Sequence, residues 1–377
     1  TISNFLYIIV LLILAGVTIA TLTGDNGILT RAQEAKNKTE EANTDELRKL
    51  TQLEATTHLE DYEYIDNSIG EEKTITIPAE CAVSQVEGEN TLENGLVIID
   101  ASGNEWVWVE VPKTEEVYQN AGINLDVNNI TDEQCDTIYN DLSDYVSAYR
   151  NHYTDTFGST EQSGYADATA YNVAKNNMLR SVYKNEGFWV GRYEAGDAVA
   201  TASNTTRTSA MGNTNEAVIK ANQIPYNYIT CKQAQELATR LSIGGKTSSL
   251  MFGIQWNLVC KFLEEKTTLN ENDINGDSTN WGNYLNSSVV ISRGKYNTTP
   301  NSPTSQWLDI AQIEKNGKML LTTGASEDTN KMNIYDLAGN VREWTLAYTT
   351  NTALPCVVRG GNYTSNGYEL PASGSQR

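Results

Sequence analysis

The chain has 377 residues, of which 39% are hydrophobic and 20% are charged, a composition typical of a folded protein of about two or three domains. It carries 48 acidic and 27 basic residues, a formal net charge of −21, which argues against nucleic acid as a partner because phosphate binding needs a basic surface. The only histidines are His58 and His152, which argues against a multi-histidine metal site and against histidine acid–base catalysis.

The N-terminal segment is uncharged and largely apolar. Residues 1–23 contain no charged side chain, and residues 5–17 would be apolar on every face of a helix. A helix of this kind is buried either in a protein core or in a bilayer, whose hydrocarbon core is about 30 Å thick. The side chains predicted to form a buried core are Phe5, Leu6, Ile8, Ile9, Leu11, Leu12, Ile13, Leu14 and Val17.

A charged helix is predicted to follow this segment, from Ile28 to about Asp61. Glu34 and Lys38 form an i,i+4 pair in the favourable order, and Asp45 and Lys49 form another. The two parts together predict one long helical domain over residues 1–61.

Residues 9–36 resemble the N-terminal helix of type IV pilins. The resemblance implies a leader removed by a prepilin peptidase, a helix held in the membrane before assembly, and a homo-polymer with these helices at its core. The expected location is therefore extracellular, in a cell-surface pilus. A monomeric membrane anchor and a cleaved signal peptide are the alternatives for the apolar segment.

The next part of the chain is interpreted as a connecting segment over residues 62–92, with a short strand at 74–78. A hairpin is predicted from residues 95–100 and 105–111, because the second run alternates between tryptophan or glutamate and valine.

Residues 114–180 are interpreted as an insertion, with a helix over 132–149 capped by Thr131 and a polar loop over 154–170. A strand at 188–196 and helices at 230–243 and 253–265 are predicted beyond it, followed by loops with short strands. The five cysteines are read either as buried small apolar side chains or as including one bridge, for which Cys231 and Cys260 are the preferred pair.

The most specific motif is NIYDLAGNVREWT, residues 333–345. With the runs at 188–194, 252–256, 281–284 and 358–362, in this order, it resembles the formylglycine-generating enzyme, or sulfatase-modifying-factor, family. The resemblance covers about residues 93–377 and implies a variant of the C-type lectin fold. The predicted fold class is α+β, with a long pilin-like N-terminal helix followed by an irregular, loop-rich C-type-lectin-like domain.

A calcium site is predicted in this motif. Asp336 and Glu343 flank a glycine turn, and hard cations prefer carboxylate and carbonyl oxygens. The resemblance implies ligation by the side chains of Asp336 and Glu343 and by the carbonyl groups of Gly339 and Val341. The alternative is that Asn340 and Glu343 only hydrogen-bond the loop backbone.

The same family includes a copper oxidase with two cysteines after its Arg-Gly-Gly motif. Ser365 and Leu370 occupy those positions here, and neither a hydroxyl nor an alkyl group replaces a thiolate ligand. The sequence therefore predicts that the protein is not an enzyme, with a formylglycine-generating activity as the less favoured alternative.

Recognition is the remaining function that the fold could support. Tyr363, Asn366 and Tyr368 are side chains of the amphipathic, adaptable types that binding loops favour. They are predicted to bind an unknown surface ligand, either a glycan or a protein, as part of an adhesion function.

Overall fold

The computed structural model describes residues 28–149, 154–199, 215–300, 306–309, 313–349 and 356–376. The chain divides into two compact units, residues 1–50 and residues 51–377. In the first unit the described residues belong to helix α1, Ile28–Ala55, whose last turn belongs to the second unit. The surface of α1 is polar, and Lys36 Nζ pairs with Glu40 Oε1 at 3.5 Å.

Helix α1 ends at Ala55 because a less favourable sequence follows it. The amides of Thr56 and Thr57 donate to carbonyl groups three residues earlier, at 3.2 and 2.8 Å. This tighter turn is common at helix ends, and β-branched residues have a low helix propensity. Thr51, in the last turn, is buried, and its Oγ1 accepts from the amide of Gln85 at 3.1 Å.

The predicted fold class, α+β with a long N-terminal helix over residues 1–61 and a C-type-lectin-like domain, is therefore wrong. The described helix runs only from Ile28 to Ala55. Beyond it the chain mixes short helices with many small antiparallel sheets. This arrangement of the described residues gives no positive indication of a pilin helix or of a C-type lectin fold. The charge pattern predicts a helix but does not locate its ends.

The largest sheet is antiparallel and has four strands, β3-β4-β5-β6 in spatial order. The predicted hairpin is confirmed by β4 and β5, and Trp108 of β5 stands opposite Trp189 of β6 with ring centroids 5.0 Å apart. A separate hairpin, β1-β2, confirms the strand predicted at 74–78. The bounds are β1 Tyr62–Asp66, β2 Lys73–Ile77, β3 Cys81–Val83, β4 Val97–Asp100, β5 Glu105–Glu110 and β6 Gly187–Gly191.

Helices fill the segment between β5 and β6. The helix predicted at 132–149 is confirmed as far as Tyr145, and Thr131 and Gln134 form its capping box. The segment predicted as a polar loop instead contains a one-turn helix and the start of a long one. The bounds are α2 Asp132–Tyr145, a 3₁₀ turn Ser147–Tyr149, α3 Thr160–Ser163 and α4 Ala168–Asn185.

The remaining chain confirms the two predicted helices and the short strands. Its helices are α5 Cys231–Thr239, α6 Gly253–Lys266 and α7 Glu271–Asn275. Its strands form the sheets β7-β8, β12-β9, β11-β10-β13 and β14-β15-β16. Their bounds are β7 Gly196–Asp197, β8 Ala217–Val218, β9 Val290–Ile291, β10 Lys295–Asn297, β11 Leu308–Asp309, β12 Ile313–Glu314, β13 Leu320–Leu321, β14 Glu343–Tyr348, β15 Cys356–Arg359 and β16 Ser375–Gln376.

Helix α6 lies in the main hydrophobic core. Trp256 is completely buried, and its Nε1 donates to the carbonyl of Ala372 at 3.1 Å. The first amides of the helix, those of Gly253 and Ile254, donate to the carboxylate of Asp155 at 2.6 and 2.9 Å. A buried carboxylate at a helix N-terminus satisfies amides that have no partner within the helix. The segment around Asp155 is therefore fixed to the core.

Asn333 connects the loop before the predicted calcium motif to the loop before β4. Its Nδ2 lies 2.8, 2.9 and 2.8 Å from the carbonyl oxygens of Gly88, Asn94 and Gly95. Its Oδ1 accepts from Nη2 of Arg192 at 3.1 Å. One amide side chain thus replaces the backbone partners that these loop carbonyls lack.

All five cysteines are buried, and none is in a disulfide. The thiol of Cys231 is hydrogen-bonded to that of Cys356, and this contact, followed by burial, raises the pKa of Cys231. Cys260 lies among the apolar side chains of the main core. The predicted bridge between Cys231 and Cys260 is therefore wrong, because Cys231 contacts Cys356 instead.

Lys315 is a buried cation whose Nζ donates to the carbonyl oxygens of Tyr284 and Ser287. Burial lowers its pKa from 10.5 to about 8, so the folded state binds fewer protons than the unfolded state between those values. The stabilisation is therefore complete above pH 10.5, the pKa in the unfolded state, and is lost as the pH falls through about 8, the pKa in the folded state. After allowance for solvent screening, we expect the free energy of unfolding to change by about 1 kcal/mol across this pH range.

This pH dependence is measured by urea unfolding at the two ends of that window, for the wild type and for Lys315→Met. The wild type should gain free energy of unfolding as the pH rises, relative to the variant. The two proteins differ only in the amine of Lys315, so the difference between their pH dependences reports on this group. An identical pH dependence would contradict the prediction.

The predicted filament and membrane segment, including all nine side chains from Phe5 to Val17, lies outside the described residues. None of the helices within the described ranges is both long and apolar enough to cross a membrane.

Candidate functional site

The loop 336–343 is a tight turn that approaches another backbone closely. Asp336, Gly339 and Asn340 have φ angles of 60°, 85° and 52°, in the left-handed region. A Cβ at Gly339 would lie 2.3 Å from the carbonyl oxygen of Asn283, so only glycine fits there. The sequence of the motif is therefore required by the turn itself.

Asn340 holds this loop through a buried hydrogen-bond network. Its Oδ1 accepts from the amide of Leu321 at 3.0 Å and from Nδ2 of Asn283 at 2.9 Å. Its Nδ2 donates to Oε2 of Glu194 at 2.6 Å, and its backbone amide donates to the carbonyl of Asn283 at 2.9 Å. The loop is thereby bonded to three separate parts of the chain.

Three carboxyl groups lie near one another inside this network. Burial is the main cause that raises the pKa of Glu194, Asp336 and Glu343, with that of Asp336 rising to about 6. Mutual repulsion adds to the effect, because Asp336 acts on Glu194 and both act on Glu343. The negative charge of the cluster is therefore poorly compensated when all three groups are ionised.

The three groups differ in their partners. Asp336 accepts from the amide of Gly324 at 2.7 Å and from Oγ1 of Thr329 at 2.8 Å. Glu194 accepts from the side chain of Asn340 and from the amide of Val341, the latter at 2.9 Å. The Oε2 atom of Glu343 is buried and has no hydrogen-bond partner.

Gly360 makes room for this unpartnered oxygen. A Cβ at Gly360 would lie 2.5 Å from Oε2 of Glu343 and 2.9 Å from the carbonyl oxygen of Leu337. The amide of Gly339 also donates to the carbonyl of Gly360, at 2.6 Å. The Arg-Gly-Gly motif therefore closes one side of the carboxylate cluster.

Some oxygens of this loop have no hydrogen-bond partner among the described residues. Besides Oε2 of Glu343, the carbonyl oxygens of Gly339 and Val341 accept no hydrogen bond from the described residues. Asp336 is engaged, but each carboxylate oxygen has a second lone pair. Among the described residues no three acidic, cysteine or histidine side chains group closely enough to hold a metal ion. A calcium ion here would therefore depend on backbone carbonyl oxygens, which calcium accepts.

The predicted ligand-binding residues occupy different environments. Tyr368 is exposed, and its hydroxyl accepts from Nδ2 of Asn366 at 3.1 Å. Tyr363 is half-buried and packs in a small cluster with Trp307 and Val341. Tyr363 therefore lies next to the predicted calcium loop, whereas the other two residues lie in the turn that follows.

Ser365, one of the two positions compared with the oxidase cysteines, makes polar contacts. Oγ of Ser365 donates to Oδ1 of Asn362 at 2.8 Å, and Nη2 of Arg342 lies 3.4 Å away from it. Leu370, at the other position, lies beside Gly361. A Cβ at Gly361 would lie 2.4 Å from the carbonyl oxygen of Leu370.

Sequence reasoning missed three members of the site. Glu194 ends the run at 188–194 and Asn283 lies in the run at 281–284, so both belong to the quoted motifs, but neither is predicted as a partner of Asn340. Arg342 lies within the calcium motif itself. Only the fold brings Glu194 and Asn283 to Asn340.

The chain matches no protein-family model, no curated protein and no solved structure.

Proposed function

We propose that the chain is a subunit of an extracellular, type IV pilus-like filament that displays its folded body for adhesion or ligand binding. The observation that carries this proposal is the apolar sequence of residues 5–17, followed without a long linker by the charged helix α1. The subunit would be held in the membrane before assembly and in a homo-polymer afterwards.

The physical argument concerns the surface of the apolar segment. A helix without polar side chains is stable only where another apolar surface covers it. Identical copies supply such a surface at any length of filament, and they leave α1, which is polar, in contact with water. The end of α1 is built into the second unit through Thr51, so the folded body follows directly on the helix.

The body would serve recognition and not catalysis. Asn366 and Tyr368 offer an amide and an exposed aromatic ring in contact with each other, and Tyr363 adds a half-buried ring beside the predicted calcium loop. Ser365 and Leu370 supply no thiolate for a copper oxidase. A calcium ion held by Asp336, Gly339, Val341 and Glu343 would fix the loop that supports this surface.

The test is electron microscopy of the purified full chain. We expect filaments from the wild type and none from Leu12→Lys, because an unpaired charge in an apolar core costs several kcal/mol for each copy. The matched control is Leu59→Lys, which makes the same change at a side chain that is 82% exposed. This variant should assemble like the wild type.

Two results would contradict the proposal. Isolated particles that need detergent would instead support a monomeric, membrane-anchored binding protein. Turnover of a cysteine-containing sulfatase peptide in the presence of copper would support a formylglycine-generating enzyme.

A further inference from the structure

Arg342 has no carboxylate partner among the described residues, whereas three other arginines of this acidic chain have one. Arg180 and Arg192 lie 2.6 and 2.8 Å from carboxylate oxygens, and Arg293 lies 2.7 Å from one. Within the described residues, no carboxylate oxygen lies within 4 Å of Arg342, although the chain has 48 acidic residues. The guanidinium group of Arg342 therefore lacks the counter-charge that these three arginines have.

Arg342 is also partly removed from water. Its Nε is buried without a hydrogen-bond partner, and its Nη2 makes only a long contact with Oγ of Ser365, at 3.4 Å. Burial is the only cause that lowers the pKa of Arg342, which agrees with the lack of a nearby acid. The side chain as a whole is half-buried, so a ligand would meet the terminal nitrogens of the guanidinium group and not the buried Nε.

Two further donor groups lie around Tyr363, whose loop contacts the loop of Arg342. The amide of Tyr363 donates to the carbonyl of Asn340 at 3.0 Å, which places the Tyr363 loop beside Arg342. Tyr363 packs in a cluster with Trp307, which is 92% buried and whose Nε1 has no partner among the described residues. Nζ of Lys318 lies 5.8 Å from the centre of the Tyr363 ring. Neither donor has a carboxylate partner among the described residues.

We propose that Arg342, together with Tyr363 and the Lys318 next to its ring, binds the carboxylate of an acidic saccharide. A guanidinium group matches a carboxylate with two parallel hydrogen bonds, and aromatic rings cover the apolar faces of a sugar. The net charge of the whole chain disfavours anions, and Arg342 and Lys318 are the two cations that would offset it locally. The inference rests on the proposed binding function and names its ligand class.

The experiment is calorimetric titration of the full chain with methyl β-D-glucuronide. The uncharged methyl β-D-glucoside is the control ligand. We expect the glucuronide to bind, the glucoside to bind at least tenfold more weakly, and added salt to weaken the binding of the glucuronide. Arg342→Gln should reduce affinity for the glucuronide about tenfold or more.

Arg31→Gln is the matched control, because it removes the same charge from an exposed position on α1. It should leave the affinity unchanged. Arg342→Lys keeps the charge but loses the planar pair of donors, so it should bind with intermediate affinity. The melting temperature of each variant shows whether it is folded; if Arg342→Gln does not fold, Tyr363→Leu takes its place and should also weaken binding.

Three outcomes would overturn the inference: equal affinity for the two sugars, unchanged affinity in folded Arg342→Gln, or no binding of the glucuronide. Binding of a glutamate-rich peptide in place of the sugar would overturn it in favour of a protein ligand. Micrographs of Arg342→Gln separate this result from the proposed function, since filaments should form whether or not the sugar binds.

Discussion

Arg192→Leu is expected to lower the free energy of unfolding by about 3–5 kcal/mol, because it leaves two carboxylates buried without a counter-charge. Arg192 is buried, and its Nη1 and Nη2 atoms each lie 2.8 Å from a carboxylate oxygen, of Glu105 and Glu89 respectively. Both carboxylates are also buried. The same change removes the donor to Oδ1 of Asn333. The measurement is urea unfolding followed by circular dichroism.

Arg180→Leu is the control for this prediction. Nη2 of Arg180 lies 2.6 Å from Oδ1 of Asp132, but the Asp132 side chain is 78% exposed. Exposed pairs contribute about 0–1 kcal/mol, so this variant should unfold almost as the wild type does. Equal losses of unfolding free energy in the two variants would contradict the prediction, because burial of the ion pair would then have no effect on stability.

Calcium is expected to raise the free energy of unfolding of chelator-treated protein by about 2.7 kcal/mol at a concentration of one hundred times its dissociation constant. The ion would offset the repulsion among Glu194, Asp336 and Glu343 and supply the partner that Oε2 of Glu343 lacks. The measurement is the melting temperature with calcium and with chelator.

Glu343→Gln should remove most of this effect, because the amide carries no charge and is a poorer ligand for calcium. Glu369→Gln, which makes the same change in the neighbouring turn and outside the predicted ligand set, should retain it. If chelation leaves the melting temperature of the wild type unchanged, the prediction that this loop binds calcium is wrong.

Elements with strong local signals were predictable from the sequence. Thr131 and Thr230 each precede a glutamine by three residues, and both pairs form capping boxes where the helices begin. The alternating run at 105–111 became β5 in the predicted hairpin. These features depend on residues close together in the chain, so spacing alone identifies them.

Helix α4 was missed because its signal is weak. Its buried side chains include Tyr171, Leu179, Val182 and Tyr183, but threonine and asparagine residues interrupt the apolar pattern. The first helix was overextended for the opposite reason. Charged residues continue past Ala55, and the pattern contains no clear stop signal before Thr56.

The candidate site was only partly predictable. The turn at 336–343 follows from its glycine and its two acids. The partners of Asn340 do not, since Glu194 is 146 residues away and Asn283 is 57 residues away in the sequence. No spacing rule connects such positions, and the absence of a counter-ion at Arg342 can be recognised only when its surroundings are known.

The contacts of Asn333 limit how the folded body can be produced in isolation. This residue reaches Gly88, Asn94 and Gly95, and Arg192 reaches Glu89. A truncated version that starts at residue 93 would lose one anchor of the loop before Asp336. Expression for crystallography or ligand screening should therefore start no later than the last turn of α1.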